Sequence, residues 1–240
     1  MGLKAISSLH DLQTAVRAAG IAWRGAFNPA PEDAAPPLDD GRPAQTVVLL
    51  GFTGDVGWNT FAAAPEARDG APDPLDRWSR RIIGGLARDL GGMALYPFGG
   101  EPRVPFQRWA QRAETLHPSP LGILIHPRWG LWHSYRGALA FAERSDCPPP
   151  PWQASPCDAC AAKPCLAACP VDAFATPAAE QRLDMAKCAG YLAQPAGADC
   201  RTRGCLARRA CPVGAAFSYA PDQAVFHMNN FRRFLDRPRL

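Results

Sequence analysis

The sequence predicts an α+β fold, and three observations carry that prediction. A helix-period stripe of apolar residues runs from Leu75 to Leu86, a short strand at Thr46 to Leu50 is wholly apolar, and eight of the nine cysteines are gathered in a proline-marked tail. Strand and helix signals share the first part without the strict alternation of a parallel α/β sheet. With 240 residues, 47% of them hydrophobic, the chain can bury a substantial core in one large domain or two small ones.

Ser8 is placed to cap a first helix running to Ala19, with Leu9, Leu12 and Val16 on one face and Gly20 as its stop. Thr46 to Leu50 (TVVLL) is a fully buried strand that ends in the glycine-punctuated loop GFTGDVGW. Asp73 is placed to cap a long helix, Pro74 to Leu90, on which Leu75, Trp78, Ile82 and Leu86 recur at helical spacing before Gly91 and Gly92 end it. A strand is expected at Met93 to Pro97, and a short helix at Pro105 to Glu114. Leu121 to His126 (LGILIH) is apolar on both faces, which predicts a central strand. Ser134 to Phe141 fits a strand, and its RGALAF ending also fits a helix. The run CPPPPW, Cys147 to Trp152, marks a boundary, so the expected domains are residues 1–147 and 148–240.

The formal charge of +4 is small, and Lys and Arg are interspersed with Asp and Glu, so no nucleic-acid partner is expected. His10 and Asp11 interrupt the one candidate export signal, and no stretch approaches the roughly 18 apolar residues of a membrane span. The expected location is the cytoplasm, where clustered thiols favour metal over disulfides.

No cysteine precedes Cys147, and eight lie between Cys157 and Cys211. The first run is Cys157-x2-Cys160-x4-Cys165-x3-Cys169-Pro170; the second is Cys188, Cys200, Cys205 and Cys211-Pro212, with gaps of 11, 4 and 5 residues. The first run resembles the bacterial ferredoxin motif, with a middle gap wider by two, and two groups each closing on Cys-Pro suit two [4Fe–4S] clusters. In two-cluster ferredoxins the fourth cysteine of each run serves the other cluster. That resemblance assigns Cys157, Cys160, Cys165 and Cys211 to one cluster, and Cys188, Cys200, Cys205 and Cys169 to the other. Structural zinc remains the alternative, since four-cysteine sites use similar gaps. Cys147 is read as a spare thiol.

Upstream, GILIHPRWGLWHSYRGALAF (Gly122 to Phe141) joins an apolar segment, a His-Pro-Arg corner, two tryptophans and an Arg-Gly pair. Taken by themselves, His126 reads as a hydrogen-bonded structural histidine, Trp129 and Trp132 as core, and Arg128 and Arg136 as surface charge. The stretch resembles the cobalamin-processing proteins typified by the protein of the methylmalonic aciduria and homocystinuria type C disorder, at Ile125, His126, Pro127, Arg128, Trp129, Gly130, Trp132, Arg136 and Gly137. ALYPFGG and DPLDRW add weaker similarity, and the whole covers about residues 40 to 142. A corrinoid-binding domain followed by two four-iron clusters is also the plan of epoxyqueuosine reductases and reductive dehalogenases, which share a nitroreductase-like core with that family. The combined resemblance implies a nitroreductase-like α/β sandwich followed by a small bacterial-ferredoxin-like domain. It further implies a bound cobalamin, with Arg128 and Arg136 on its polar groups or on a thiol cosubstrate, and His126 on the ligand or orienting the loop.

The function expected on that resemblance is electron delivery from two [4Fe–4S] clusters to a corrinoid, for example in reductive removal of its upper axial ligand. The clusters would draw on flavodoxin, ferredoxin or a reductase. One alternative is a ferredoxin-type carrier whose first domain docks a protein partner. The other is a cobalamin-dependent reductase related to epoxyqueuosine reductase, from which the chain departs by its length and by lacking an Asp-Tyr-His acid segment. Tyr135 is then a candidate proton donor.

Overall fold

The computed structural model describes residues 9–54, 56–100, 103–174 and 183–235. In chain order its first elements are α1 (Leu9–Ala18), β1 (Ala22–Phe27), β2 (Thr46–Thr53), α2 (Trp58–Ala63), α3 (Pro74–Leu90), β3 (Met93–Leu95) and α4 (Phe106–Ala113). There follow β4 (His117–Pro118), β5 (Leu124–Ile125), β6 (His133–Phe141), α5 (Pro164–Ala167), α6 (Met185–Ala193), α7 (Ala198–Arg203), α8 (Leu206–Arg209) and α9 (Pro221–Leu235). The class is α+β, as expected. Two compact units divide it: residues 1–115 with 133–152, and residues 116–132 with 153–240.

The first unit is built on an antiparallel sheet of order β1-β2-β6-β3. Every residue of β2 is buried, because β1 and β6 flank it and its β-branched and aromatic side chains fill both faces. α3 packs on β6 and β3, and α1 and α4 pack on β1. α3 has the predicted bounds; Pro74 at its first position lacks the N–H that would have no partner there, and Gly91 ends it in the left-handed region at φ 69°. Asp73 does not cap it with its side chain as expected: it sits at φ 49°, and its carbonyl closes the first turn from Arg77 N–H at 3.0 Å. The expected N-cap Ser8 lies outside the described residues. The RGALAF stretch resolves as strand, pairing with β2 from Thr46↔Phe141 to Thr53↔His133.

Two sequence expectations need correction. LGILIH is not a central strand: only Leu124–Ile125 is extended, and it pairs with His117–Pro118 in a separate ribbon. Its apolar residues are spent on the core of the second unit, where Leu121, Ile125 and Leu131 pack with Cys165, Ala207 and Cys211. The other is an omission. β1 went unread because its core position is an arginine: Arg24 is fully buried and bonds to Glu114, Tyr135 and His133 and to the carbonyls of Phe52 and Ser134.

The second unit is assembled from short helices around that core, with α9 packed on α6 and α7. Arg201 donates to the carbonyls of Leu192 (2.6 Å) and Gln194 (2.7 Å), closing the end of α6 where helical partners run out.

Candidate metal centre

All nine cysteines are free. Cys157, Cys160, Cys165 and Cys211 line one cavity, whose remaining walls are Pro120, Ile125, Pro156, Lys163, Pro164, Pro212 and Val213. Cys157 and Cys160 sit on a turn closed by Cys160 N–H to the Cys157 carbonyl at 3.3 Å, Cys165 rides on α5, and Cys211 follows α8. Burial raises the thiols of Cys157, Cys165 and Cys211, and neighbouring thiols within the same set add to the effect. Backbone amides of Leu166 and Val213 bond to Cys165 and Cys211 and pull the other way.

Cys188 lies on α6, Cys200 on α7, Cys205 just before α8, and Cys169 beyond α5. Burial pushes the Cys188 thiol up to about 12, with Cys205, Cys169 and Cys200 adding to the shift. Cys205 is also raised by burial, against backbone hydrogen bonds from Arg208 and Ala207, and Cys200 and Cys169 are its thiol neighbours. The Ala173 amide donates to Cys169 Sγ at 3.3 Å. Electrostatic neighbourhood thus sorts the eight thiols into two sets of four, each drawing one member from the other run.

Among the described residues, no three Cys, His, Asp or Glu side chains stand close enough together to hold one metal ion. Thiols gathered around one apolar-walled cavity and met by backbone amides suit a cubane, in which each of four irons takes one thiolate. The donor set therefore fits [4Fe–4S] clusters.

The residues nominated for a corrinoid divide between the units. His126 exchanges backbone hydrogen bonds with Gly130 at 2.9 Å, and its Nδ1 accepts from the amides of Arg128 (3.0 Å) and Trp129 (3.2 Å), which leaves the ring proton on Nε2. Pro127 occupies the turn so formed. The Arg128 guanidinium lies 4.3 Å over Trp129, which meets Phe217 edge-on at 4.6 Å. Trp132 packs against Tyr219 at 5.2 Å, with Arg208 4.5 Å from its ring. Ile125 is buried and lines the cavity of the first thiol set. Arg136 and Gly137 belong to β6 in the first unit. Arg136 pairs with Asp76 and donates to Ser79 Oγ at 3.1 Å, and a Cβ on Gly137 would stand 2.6 Å from Ile83 Cδ1. Two open clefts of that unit, one lined by Gln13, Arg17, Asn59 and Thr60 and one by Tyr96, Phe98, Gly99 and Arg103, include neither residue.

Sequence reasoning missed Lys163, although the widened gap between Cys160 and Cys165 marked its position. It also missed Arg208, which has no periodic signal, and whose Nε donates to the Leu131 carbonyl at 3.1 Å.

No family model and no curated protein matches the chain. Among solved structures, a crystal structure of epoxyqueuosine reductase with an epoxyqueuosine-modified tRNA stem loop is similar over 94% of this chain and 63% of that one, at 14% identity and a TM-score of 0.44. The chain spans less than two thirds of that reductase. A likeness of this strength leaves the fold and the site to be argued from the chain's own residues. No helix among the described residues is long and apolar enough to cross a membrane.

Proposed function

We propose that the chain is an iron–sulfur oxidoreductase that carries electrons through two [4Fe–4S] clusters in its second unit. The observation that carries this reading is that Cys157, Cys160 and Cys165 of the first run and Cys211 of the second line one cavity, while Cys188, Cys200, Cys205 and Cys169 neighbour one another electrostatically. When bound, such clusters supply one-electron steps over potentials of about −700 to +450 mV. The protein's part is to fix the thiols on short helices, offer amide hydrogens to their sulfurs and surround the first set with Pro120, Ile125 and Val213.

A second reading takes the acceptor to be a corrinoid, in a cobalamin-dependent reductase related to epoxyqueuosine reductase or in removal of an upper axial ligand. What favours it is that Ile125, within the stretch resembling the cobalamin-processing proteins, lines the same cavity as Cys157, Cys160, Cys165 and Cys211. An electron carrier serving a protein partner would share the thiols and lack the cobalamin.

One experiment separates these. The protein is reconstituted anaerobically with ferrous iron and sulfide, iron is counted, and cyanocobalamin is then titrated with dithionite under visible spectroscopy. About eight irons per chain supports two clusters. Cobalamin reduction that is lost in Cys157→Ala with Cys160→Ala supports the corrinoid acceptor. Eight irons with cobalamin unchanged leaves the carrier, and no iron uptake defeats the two-cluster reading.

A further inference from the structure

The gap between Cys160 and Cys165 is two residues wider than in the ferredoxin run, and Lys163 occupies the added length. It stands at φ 37°, in the left-handed region that non-glycine residues seldom adopt. From there its side chain turns back, and Nζ donates to the carbonyls of Cys157 at 3.1 Å and Cys160 at 3.3 Å. Its stem lines the cavity enclosed by Cys157, Cys160, Cys165 and Cys211, and apart from those thiols it is the one ionisable side chain among the described lining residues. The rest of the wall is proline, isoleucine and valine, which neither screen the ammonium nor compete for it.

We propose that Lys163 is a positioning residue that sets the reduction potential of the cluster held by Cys157, Cys160, Cys165 and Cys211; the proposal rests on the two-cluster reading above. The ammonium ties the turn bearing Cys157 and Cys160 to the start of α5, which carries Cys165, so that three thiols are oriented as one piece. One-electron reduction adds one negative charge to the site. A cation held beside it in an apolar cavity favours the reduced state, because Coulomb attraction is poorly screened there. Lys163 therefore raises the potential of this couple and acts less on the one served by Cys188.

The test is an anaerobic dithionite titration of reconstituted full-length protein, followed by electron paramagnetic resonance, on wild type, Lys163→Met, Lys163→Gln and Lys163→Arg. Iron is counted on each, and the couples are assigned beforehand with Cys160→Ala and Cys188→Ala. Lys163→Met and Lys163→Gln are expected to lower the reduction equilibrium of the first couple about tenfold, a negative shift of about 59 mV for one electron, and to leave the second couple in place. Lys163→Arg is expected to stay near wild type. Selective loss of the first cluster's iron in Lys163→Met, restored in Lys163→Arg, would instead assign Lys163 to cluster assembly and overturn its role in the potential. Full iron content in Lys163→Met with both couples at wild-type potentials overturns it and leaves the two-cluster reading standing. Wild-type protein that takes up no iron overturns that reading, and the proposal with it.

Discussion

Gly130 and Val213 meet backbone to backbone: the Val213 carbonyl occupies the space a Cβ on Gly130 would need. The fit is reciprocal one residue on, since a Cβ on Gly214 would strike the Trp129 carbonyl. Val213 follows Cys211 and Pro212, so this contact sets where the last thiol of the first set stands. Gly130 also adopts φ +58°, where a side chain is strained regardless of space.

Gly130→Ala is accordingly expected to destabilise the protein by about 2–5 kcal/mol, adding left-handed strain of about 1–2 kcal/mol to an overpacking cost of about 1–3. Gly41 has φ +83° and nothing within 4 Å of its would-be Cβ, so Gly41→Ala measures the strain alone. Thermal melting should separate the two variants, and reconstituted iron should fall in the first only. Equal losses in both would mean that the Val213 contact yields at little cost.

The crossed grouping of thiols makes a prediction that spacing within a run does not. Cys169→Ser should perturb the same resonance as Cys188→Ser, although Cys169 closes the first run, and Cys211→Ser should match Cys157→Ser. Paired electron paramagnetic resonance spectra of the four variants check this. If Cys169→Ser instead matches Cys157→Ser, each run serves its own cluster.

What could be read from the sequence follows from how each signal arises. The bounds of α3 were legible because a proline, a 3.6-residue apolar period and a glycine stop all act locally, although the buried position on its face is Ile83 and not the expected Ile82. Thiol chemistry was legible because short gaps bring ligands together without help from the rest of the fold. LGILIH was misread because an apolar run reports burial without naming the partner: Leu121 and Ile125 bury against Cys165 and Cys211 rather than between strands. β1 was lost because Arg24 sits at an inward position, and its partner Glu114 lies 90 residues away. The grouping of Cys211 with Cys157 came from likeness to ferredoxins and not from spacing. The position of Lys163 was marked by the widened gap between Cys160 and Cys165, but its bonds to the carbonyls of Cys157 and Cys160 depend on a backbone turn that residue types do not spell out.

Tyr135 gives the first unit an alkaline limit. Burial, with the Glu114 carboxylate adding to it, raises the phenol well above its ordinary value of 10.0, against the opposing pull of Arg24. The folded state therefore keeps the proton to higher pH than the unfolded chain does. The resulting stability is present below pH 10 and is lost as pH rises from there through the folded value. In urea titrations Tyr135→Phe should lose about 1.5–3 kcal/mol at neutral pH, for its bonds to Glu114 (2.5 Å) and Arg24 (3.1 Å), and should decline less steeply above pH 10. Parallel decline in both proteins would place the alkaline transition elsewhere.

The same network predicts a non-additive pair. Arg24 is fully buried and grips Glu114 with two bonds, Nε to Oε1 at 3.1 Å and Nη2 to Oε2 at 2.6 Å. Glu114→Leu leaves that guanidinium buried without its counter-ion, which should cost about 3–5 kcal/mol. Arg24→Met leaves the carboxylate without its cation and also removes the donor to the Phe52 carbonyl at 3.0 Å and the Ser134 carbonyl at 3.3 Å. Combining the two changes removes both charges together, so the double variant should be less destabilised than the sum of the singles by about 0.5–3 kcal/mol. It should not return to wild type, because the Phe52 carbonyl is buried and loses its arginine donor in either Arg24 background, at about 1–3 kcal/mol. A double-mutant cycle in urea measures the coupling. Strict additivity would mean that Arg24 is held by the two carbonyls, with Glu114 contributing little to the fold.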